Sequence, residues 1–277
     1  MGEQVSGVNV STVSSYSERG AQAYEDPMNK NFLYGAITVR FLEQIDHYAK
    51  GATVLDIGCG TGFVFDVLYR RFEELELHGI GIEPADGMLE IAIDKYGSDP
   101  MFEFHSGSFE NIPLAGNSVD NIVSTLALHW VKSLDVAVAE MGRVLKDGGS
   151  LDILMIARDD GAKFKKAIVA AQRKHLTFAQ IMKTATLVQR ASVKDLLKTL
   201  APFDDRYDVR VEMFNDVVYG SFDDHMKWWT ARSSPVIADV EDKTLFMDDL
   251  RQELEKTRDE HGIPFDTAYY WITLRGK

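Results

Sequence analysis

The chain has one cysteine, Cys59, among its 277 residues. No disulfide can form within it, which suits a reducing compartment. A lone thiol with no accompanying His or Asn motif is not a catalytic constellation, so Cys59 reads as a small residue packed in a tight turn. No apolar run approaches the roughly 20 residues needed to span a bilayer. Met1 to Ser15 is polar and small, without a signal-peptide pattern. These absences predict a cytoplasmic protein with no membrane contact. Positive charge is scarce too: 30 Lys and Arg face 43 Asp and Glu, a formal net charge of −13. Such a chain repels nucleic acid unless its basic groups gather on one face, so no nucleic-acid partner is expected. Repeats, low-complexity tracts and linkers are missing. No His, Cys and Asp cluster has metal-ligand spacing, so no metal is expected.

What is present alternates. Residues 1–14 read as an arm, and Tyr16 to Tyr24 as a short helix broken by Asp26-Pro27. Asn31 to Tyr48 carries apolar residues at 33, 37, 41, 42 and 45, a helical stripe. Strands are predicted near Val54–Ile57, Leu77–Ile82, Met101–His105, Val119–Ser124 and Ser150–Ala157. Helices are predicted over Phe63–Tyr69, Ala85–Tyr96 and Leu134–Leu145, the last ended by the turn Lys146-Asp-Gly-Gly149. This rhythm argues for right-handed βαβ units and a parallel sheet. It stops at Asp159. Helices follow to about Arg190, and Ser192-Val-Lys-Asp195 resembles a capping box opening a helix to Leu200. Tyr207–Tyr219 alternates as a strand. A Trp228-Trp229 helix opens at Ser221, a charged helix covers Lys243–His261, and Phe265–Leu274 is a last strand.

The most informative stretch is Val54-Leu-Asp56-Ile-Gly58-Cys59-Gly60-Thr-Gly62-Phe63. A buried strand runs into a glycine turn and a helix start, a place where backbone can approach a ligand and free N–H groups face it. No Lys-Ser or Lys-Thr follows, so it is not a phosphate loop. The third glycine comes one residue early for the dinucleotide fingerprint. An acid followed by G-x-G-x-G resembles instead the first motif of class I S-adenosylmethionine-dependent methyltransferases of the small-molecule type, and the likeness covers about residues 52–157.

That resemblance implies an α/β, Rossmann-like fold: a mostly parallel seven-stranded sheet with helices on both faces and a helical cap insertion. It divides the chain into an arm and covering helices (1–50), a cofactor-binding core (51–157), a cap (158–203) and completing strands with the Trp-bearing helix (204–277). It implies S-adenosyl-L-methionine as cofactor. Gly58, Cys59, Gly60 and Gly62 would pass beneath it, with Asp56 near its ammonium. Glu83, 27 positions after Asp56, would accept from the ribose hydroxyls. Pro84 and Met88 would flank the adenine. Gly107-Ser108-Phe109 resembles the third motif, with Ser108 where an acid is usual and the Phe109 N–H toward the ring. Ser124-Thr125-Leu126-Ala-Leu-His129-Trp130 resembles the fourth, where the chain passes the methyl group. His129 is the candidate general base, against packing beside Trp130. Tyr16 and Tyr24 resemble an N-terminal pattern that closes over the cofactor.

The resemblance further implies methyl transfer by direct displacement to a small, fairly apolar acceptor, such as a natural-product intermediate, at N, O or C. His129, Trp130, Phe164, Trp228 and Trp229 would line its pocket. No Asn-Pro-Pro-Tyr follows strand four, against amino methylation of nucleic acid. A second reading is an O-methyltransferase of a free or carrier-protein-bound carboxylate. The basic run Lys163, Lys165, Lys166, Arg173 and Lys174 would then receive an acidic carrier. A third is a cofactor-binding assembly module without turnover. The arm leaves room for a homo-oligomer.

Overall fold

The structure is a computed structural model that describes residues 21, 25–26, 30–185, 191–232 and 237–277. Helix α1 spans Tyr34–Glu43. Then β1 (Thr53–Ile57), α2 (Phe63–Leu75), β2 (His78–Glu83), α3 (Asp86–Tyr96), β3 (Phe102–Ser106) and β4 (Val119–Thr125) alternate. A 3-10 turn at Leu128–Trp130 leads to α4 (Leu134–Val144) and β5 (Leu145–Ile156). Three helices follow: α5 (Ala162–His175), α6 (Phe178–Ala185) and α7 (Val193–Leu200). The chain closes with β6 (Tyr207–Gly220), α8 (Phe222–Arg232), α9 (Lys243–Glu255) and β7 (Ile263–Gly276).

One sheet holds all seven strands in the order β3-β2-β1-β4-β5-β7-β6. The first five run parallel, and β7 pairs antiparallel with both β5 and β6. The order reverses between β1 and β4, so a crevice opens beyond their C-terminal ends, where α/β sheets take ligands. Alternation sorts the strand residues between two cores. Val54, Val123 and Leu154 face one with α1, α2, α5, α8 and α9. Leu55, Ile57, Ile122 and Ile153 face the other with α4 and α7.

Several boundaries differ from the sequence reading, each for a local reason. Helix α1 is shorter than its apolar stripe, because Leu33 enters it from a left-handed backbone (φ 52°); Ile45 and Tyr48 are buried beyond its end. The expected turn at 146–149 lies inside β5 as a bulge. Leu145 sits opposite Val119 and Ser150 opposite Asn121, and Gly148 (φ 78°) lets the extra residues loop out. Helix α9 stops at Glu255 rather than His261, because the N–H and hydroxyl of Thr257 both donate to the Leu254 carbonyl. The Ser192–Asp195 capping box is formed as read. The stretch 158–203 is shared between the faces: α5 buries Phe164, Ala167, Ile168 and Ala171 in the first core, while α7 buries Leu196 and Leu200 in the second.

Candidate active site

The glycine turn joins β1 to α2 at the switch point. The N–H groups of Gly58 and Cys59 both donate to the Ile82 carbonyl, at 2.8 and 3.0 Å, which pins the turn to β2. Gly58 (φ 74°) is needed twice over: a Cβ there would also lie 2.4 Å from the Cβ of Ala127. Gly60 (φ 55°) is different, since a Cβ there meets nothing within 4 Å. Its neighbourhood is open space that the protein leaves unfilled. Cys59 is buried, and its sulfur packs against Gly81. Burial pushes its thiol well up, with Asp56 and Glu83 adding to the effect, so it is no nucleophile at neutral pH.

Two acids face this turn from adjacent strand ends. Glu83 is fixed by two backbone donors: Gly60 N–H at 3.0 Å on one oxygen, Ala85 N–H at 2.9 Å on the other. Each oxygen keeps a further lone pair for a ligand hydroxyl. Burial raises its pKa to about 7, and the two N–H groups only partly offset this. Asp56 is fully buried, and neither carboxylate oxygen has a hydrogen-bond partner among the described residues. Burial, with the Glu83 charge behind it, holds its pKa well above the usual carboxylate range. A buried, unpartnered carboxylate is costly unless something cationic completes it.

A network that sequence reading missed ties the arm to the turn. Lys30 bonds Glu25 at 2.9 Å and Asp66 at 3.2 Å, and Glu25 accepts the Thr61 hydroxyl. Lys95 bonds Asp66 at 2.8 Å and the Thr61 carbonyl at 2.9 Å. The residues come from three separate stretches, 25–30, 61–66 and 95, so spacing carried no signal for it.

Beyond β4, the Ser124 hydroxyl donates to the Ile57 carbonyl at 2.6 Å, joining the ends of β4 and β1. Thr125 is half-buried at the strand end. Leu126 adopts φ 57°, a conformation an L side chain rarely takes, and its N–H is held by the Leu154 carbonyl at 2.8 Å. A leucine in a sequence does not advertise such a backbone. His129 is 2% exposed, and its ring lies 5.1 Å from that of Trp130.

Ser108 and Phe109 are buried at the β3 exit, where the Ser108 hydroxyl accepts the Glu110 N–H at 3.3 Å. Pro84 is half-buried, and Met88 packs with Ala21 and Ala85. Tyr16 and Tyr24 lie outside the described residues. Phe164, Trp228 and Trp229 belong to the first core. Phe164 packs 5.0 Å from Phe265, and Trp228 packs 5.3 Å from Phe265 and 5.6 Å from Tyr34. Helices α5 and α8 turn these faces into that core. Among the described residues no group of three or more His, Cys, Asp or Glu is placed to hold a metal. No described helix is long and apolar enough to cross a membrane.

The arrangement suits a ligand with a cationic amine for Asp56, a vicinal diol for Glu83 and a body over Gly60. Residues 55–153 match the family described as Methyltransferase domain. A malonyl-[acyl-carrier protein] O-methyltransferase of Yersinia pestis is 31% identical over 142 residues, 51% of this chain and 49% of that protein. The chain spans half or less of the length of the curated relatives it matches first. Among solved structures, a putative methyltransferase of Bacillus halodurans superposes with a TM-score of 0.59 at 17% identity, covering 86% of this chain and 97% of that one. A Haemonchus contortus phosphoethanolamine N-methyltransferase 2, described in complex with S-adenosyl-L-methionine, gives 0.62 at 16%, covering 95% and 58%.

Proposed function

We propose, from the premise that this chain belongs to the class I S-adenosylmethionine-dependent methyltransferases through its domain at 55–153, that it methylates a small, fairly apolar acceptor. The observation that carries the reading is the unpartnered carboxylate of Asp56 beside the open space at Gly60.

The residues present fit the cofactor. Asp56 would take its ammonium, a charge-assisted contact that completes the buried acid. Glu83 would accept from the ribose hydroxyls with its remaining lone pairs. Pro84, Met88 and the Ser108–Phe109 turn would bound the adenine. When bound, S-adenosylmethionine supplies a methyl group on a sulfonium, which a nucleophile can take by displacement. The strained Leu126 and its neighbour Thr125 would fix where the acceptor stands. Positioning of this kind can supply much of the barrier reduction, with no covalent intermediate on the protein. His129 is packed on Trp130, so its role in this reading is to hold the loop beside the acceptor.

The test is calorimetry with S-adenosylmethionine and its demethylated product, followed by mass spectrometry with labelled cofactor and candidate acceptors. Wild type should bind both. Glu83→Ala should lose about 1.5–3 kcal/mol of affinity, and Gly60→Val should fold yet lose binding. Normal affinity in both variants would sink the site assignment. Binding without any labelled product would leave a cofactor-binding module rather than an enzyme.

A further inference from the structure

The basic run of α5 separates in space. Lys174 turns toward α9, where it pairs with Asp249 at 2.7 Å beside His175. Lys166 and Arg173 have no carboxylate partner among the described residues. They line a cleft of about 420 Å³ with Arg158 and Lys165. Arg158 also pairs with Asp195 at 3.1 Å, and Lys165 donates to the Asp160 main-chain carbonyl. Ala162, Val169 and Ala170 give the cleft an apolar wall. Asp159 and Asp160 line it too. The Asp160 carboxylate is already engaged by the Tyr34 hydroxyl and by the Ala268 N–H at 3.0 Å. The lining thus carries four cations against two acids, in a chain of net charge −13. Its volume lies in the range of small-molecule sites.

The location matters as much as the charge. Arg158 comes four residues after Leu154, which sits opposite Thr125 at the end of β4. Four residues reach at most about 14 Å. With the strand spacing of about 5 Å added, the Arg158 backbone at the cleft lies no more than about 19 Å from Thr125, on the same end of the sheet.

We propose that this cleft binds the anionic end of the acceptor, a phosphate or carboxylate head on an apolar body. Lys166 and Arg173 hold the head, Arg158 and Lys165 add positive potential, and the body lies along Ala162, Val169 and Ala170. The proposal rests on the methyltransferase reading, since that reading places the reacting atom beside Thr125. It narrows the substrate class to amphiphilic anions. Local positive potential in a concave site would also draw such an acceptor to a protein that otherwise repels it.

The experiment titrates hexyl phosphate, hexanoate and inorganic phosphate into the full chain by calorimetry, at low and high salt. The comparison protein is the double variant Lys166→Glu/Arg173→Glu. The demethylated cofactor is titrated into both proteins as an independent readout. One of the two hexyl compounds should bind wild type, at least tenfold more weakly in the variant and at high salt. The tighter of the two identifies the head group. Inorganic phosphate should bind more weakly than hexyl phosphate, and the variant should keep wild-type affinity for the demethylated cofactor. No binding of either hexyl compound to wild type, or equal binding to the variant, overturns the proposal. Inorganic phosphate binding as tightly as hexyl phosphate does so as well, because the apolar wall would then contribute nothing. Wild type that ignores the demethylated cofactor would sink the methyltransferase reading separately, with the anion titrations still scoring the cleft.

Discussion

Two buried aspartates sit in one row on the same face of the sheet. Asp56 of β1 lies opposite Val123 of β4, and Val123 lies opposite Asp152 of β5. Asp152 is 2% exposed, Asp56 not at all. Around Asp152 the protein supplies its own partners: the Arg275 guanidinium at 2.6 Å on one oxygen, and the His47 ring 3.2 Å from the other, which accepts no hydrogen bond among the described residues. Around Asp56 no described residue supplies one. The two are near enough that both push up the hydroxyl of Tyr48, though burial does most of that. Similar chemistry in similar burial thus has two outcomes. A carboxylate with a guanidinium partner is tied into the fold, while the one at the crevice is left without a hydrogen-bond partner among the described residues.

The largest effect should come from breaking the completed acid. Arg275→Met leaves Asp152 buried with His47 alone and removes the guanidinium bonds to the Leu151 and Leu274 carbonyls. Arg275 is partly solvated, so the expected cost is about 2–3 kcal/mol, below that of a fully enclosed pair. Urea unfolding should show the lower midpoint, and affinity for the demethylated cofactor should not change. An unchanged midpoint would mean that Asp152 is no more a structural acid than Asp56 is.

The opposite pattern is expected at Asp56. Asp56→Asn removes a buried acid that has no hydrogen-bond partner among the described residues, so apo stability should stay level or rise. Cofactor affinity should fall by about 1.5–3 kcal/mol, the range for a charged hydrogen bond. Urea unfolding and calorimetry on the same preparation separate the two effects. A variant that unfolds while its residual native fraction binds normally would erase the contrast.

The same contrast explains what could be read from the chain alone. Asp56, its glycines and Glu83 are legible because strand, turn and helix start are neighbours in sequence and impose a local pattern. The sheet is legible from alternation for the same reason. Asp152 passes as an unremarked strand residue because its partner Arg275 lies 123 positions away. The arm network of Glu25, Lys30, Asp66 and Lys95 is hidden in the same way. Leu126 is legible through its motif, but its conformation is not, since nothing in a leucine announces a left-handed backbone. Phe164, Trp228 and Trp229 read as pocket aromatics and pack in the first core, and an aromatic on a helix face has the same spacing in either setting. The basic run looks like one patch, but helical geometry turns Lys174 to α9 and Lys166 and Arg173 to the cleft.

The smallest expected effect concerns the protons on the open acids. Glu83 titrates near pH 7 in the fold against its ordinary 4.5, because burial disfavours its charge. Between those values the native state holds a proton that the unfolded chain has released, so this group makes apo stability fall as pH rises. Ligand binding runs the other way. Hydroxyls donating to Glu83 and a cation beside Asp56 favour both carboxylates, so binding must expel protons and tighten with pH. With Glu83 alone governing, affinity for the demethylated cofactor should rise about tenfold from pH 6 to pH 8 and level off above, since the deprotonated fraction climbs by about that factor around a pKa of 7. Asp56 is also shifted upward and can only steepen the rise. Calorimetry in two buffers of different ionisation enthalpy should count the released protons directly. A flat profile with no release would show that Glu83 is already charged in the apo protein. Asp152 offers the control: at pH 6 and pH 8, Arg275→Met should change stability without tilting the affinity profile, because its acid lies outside the ligand site.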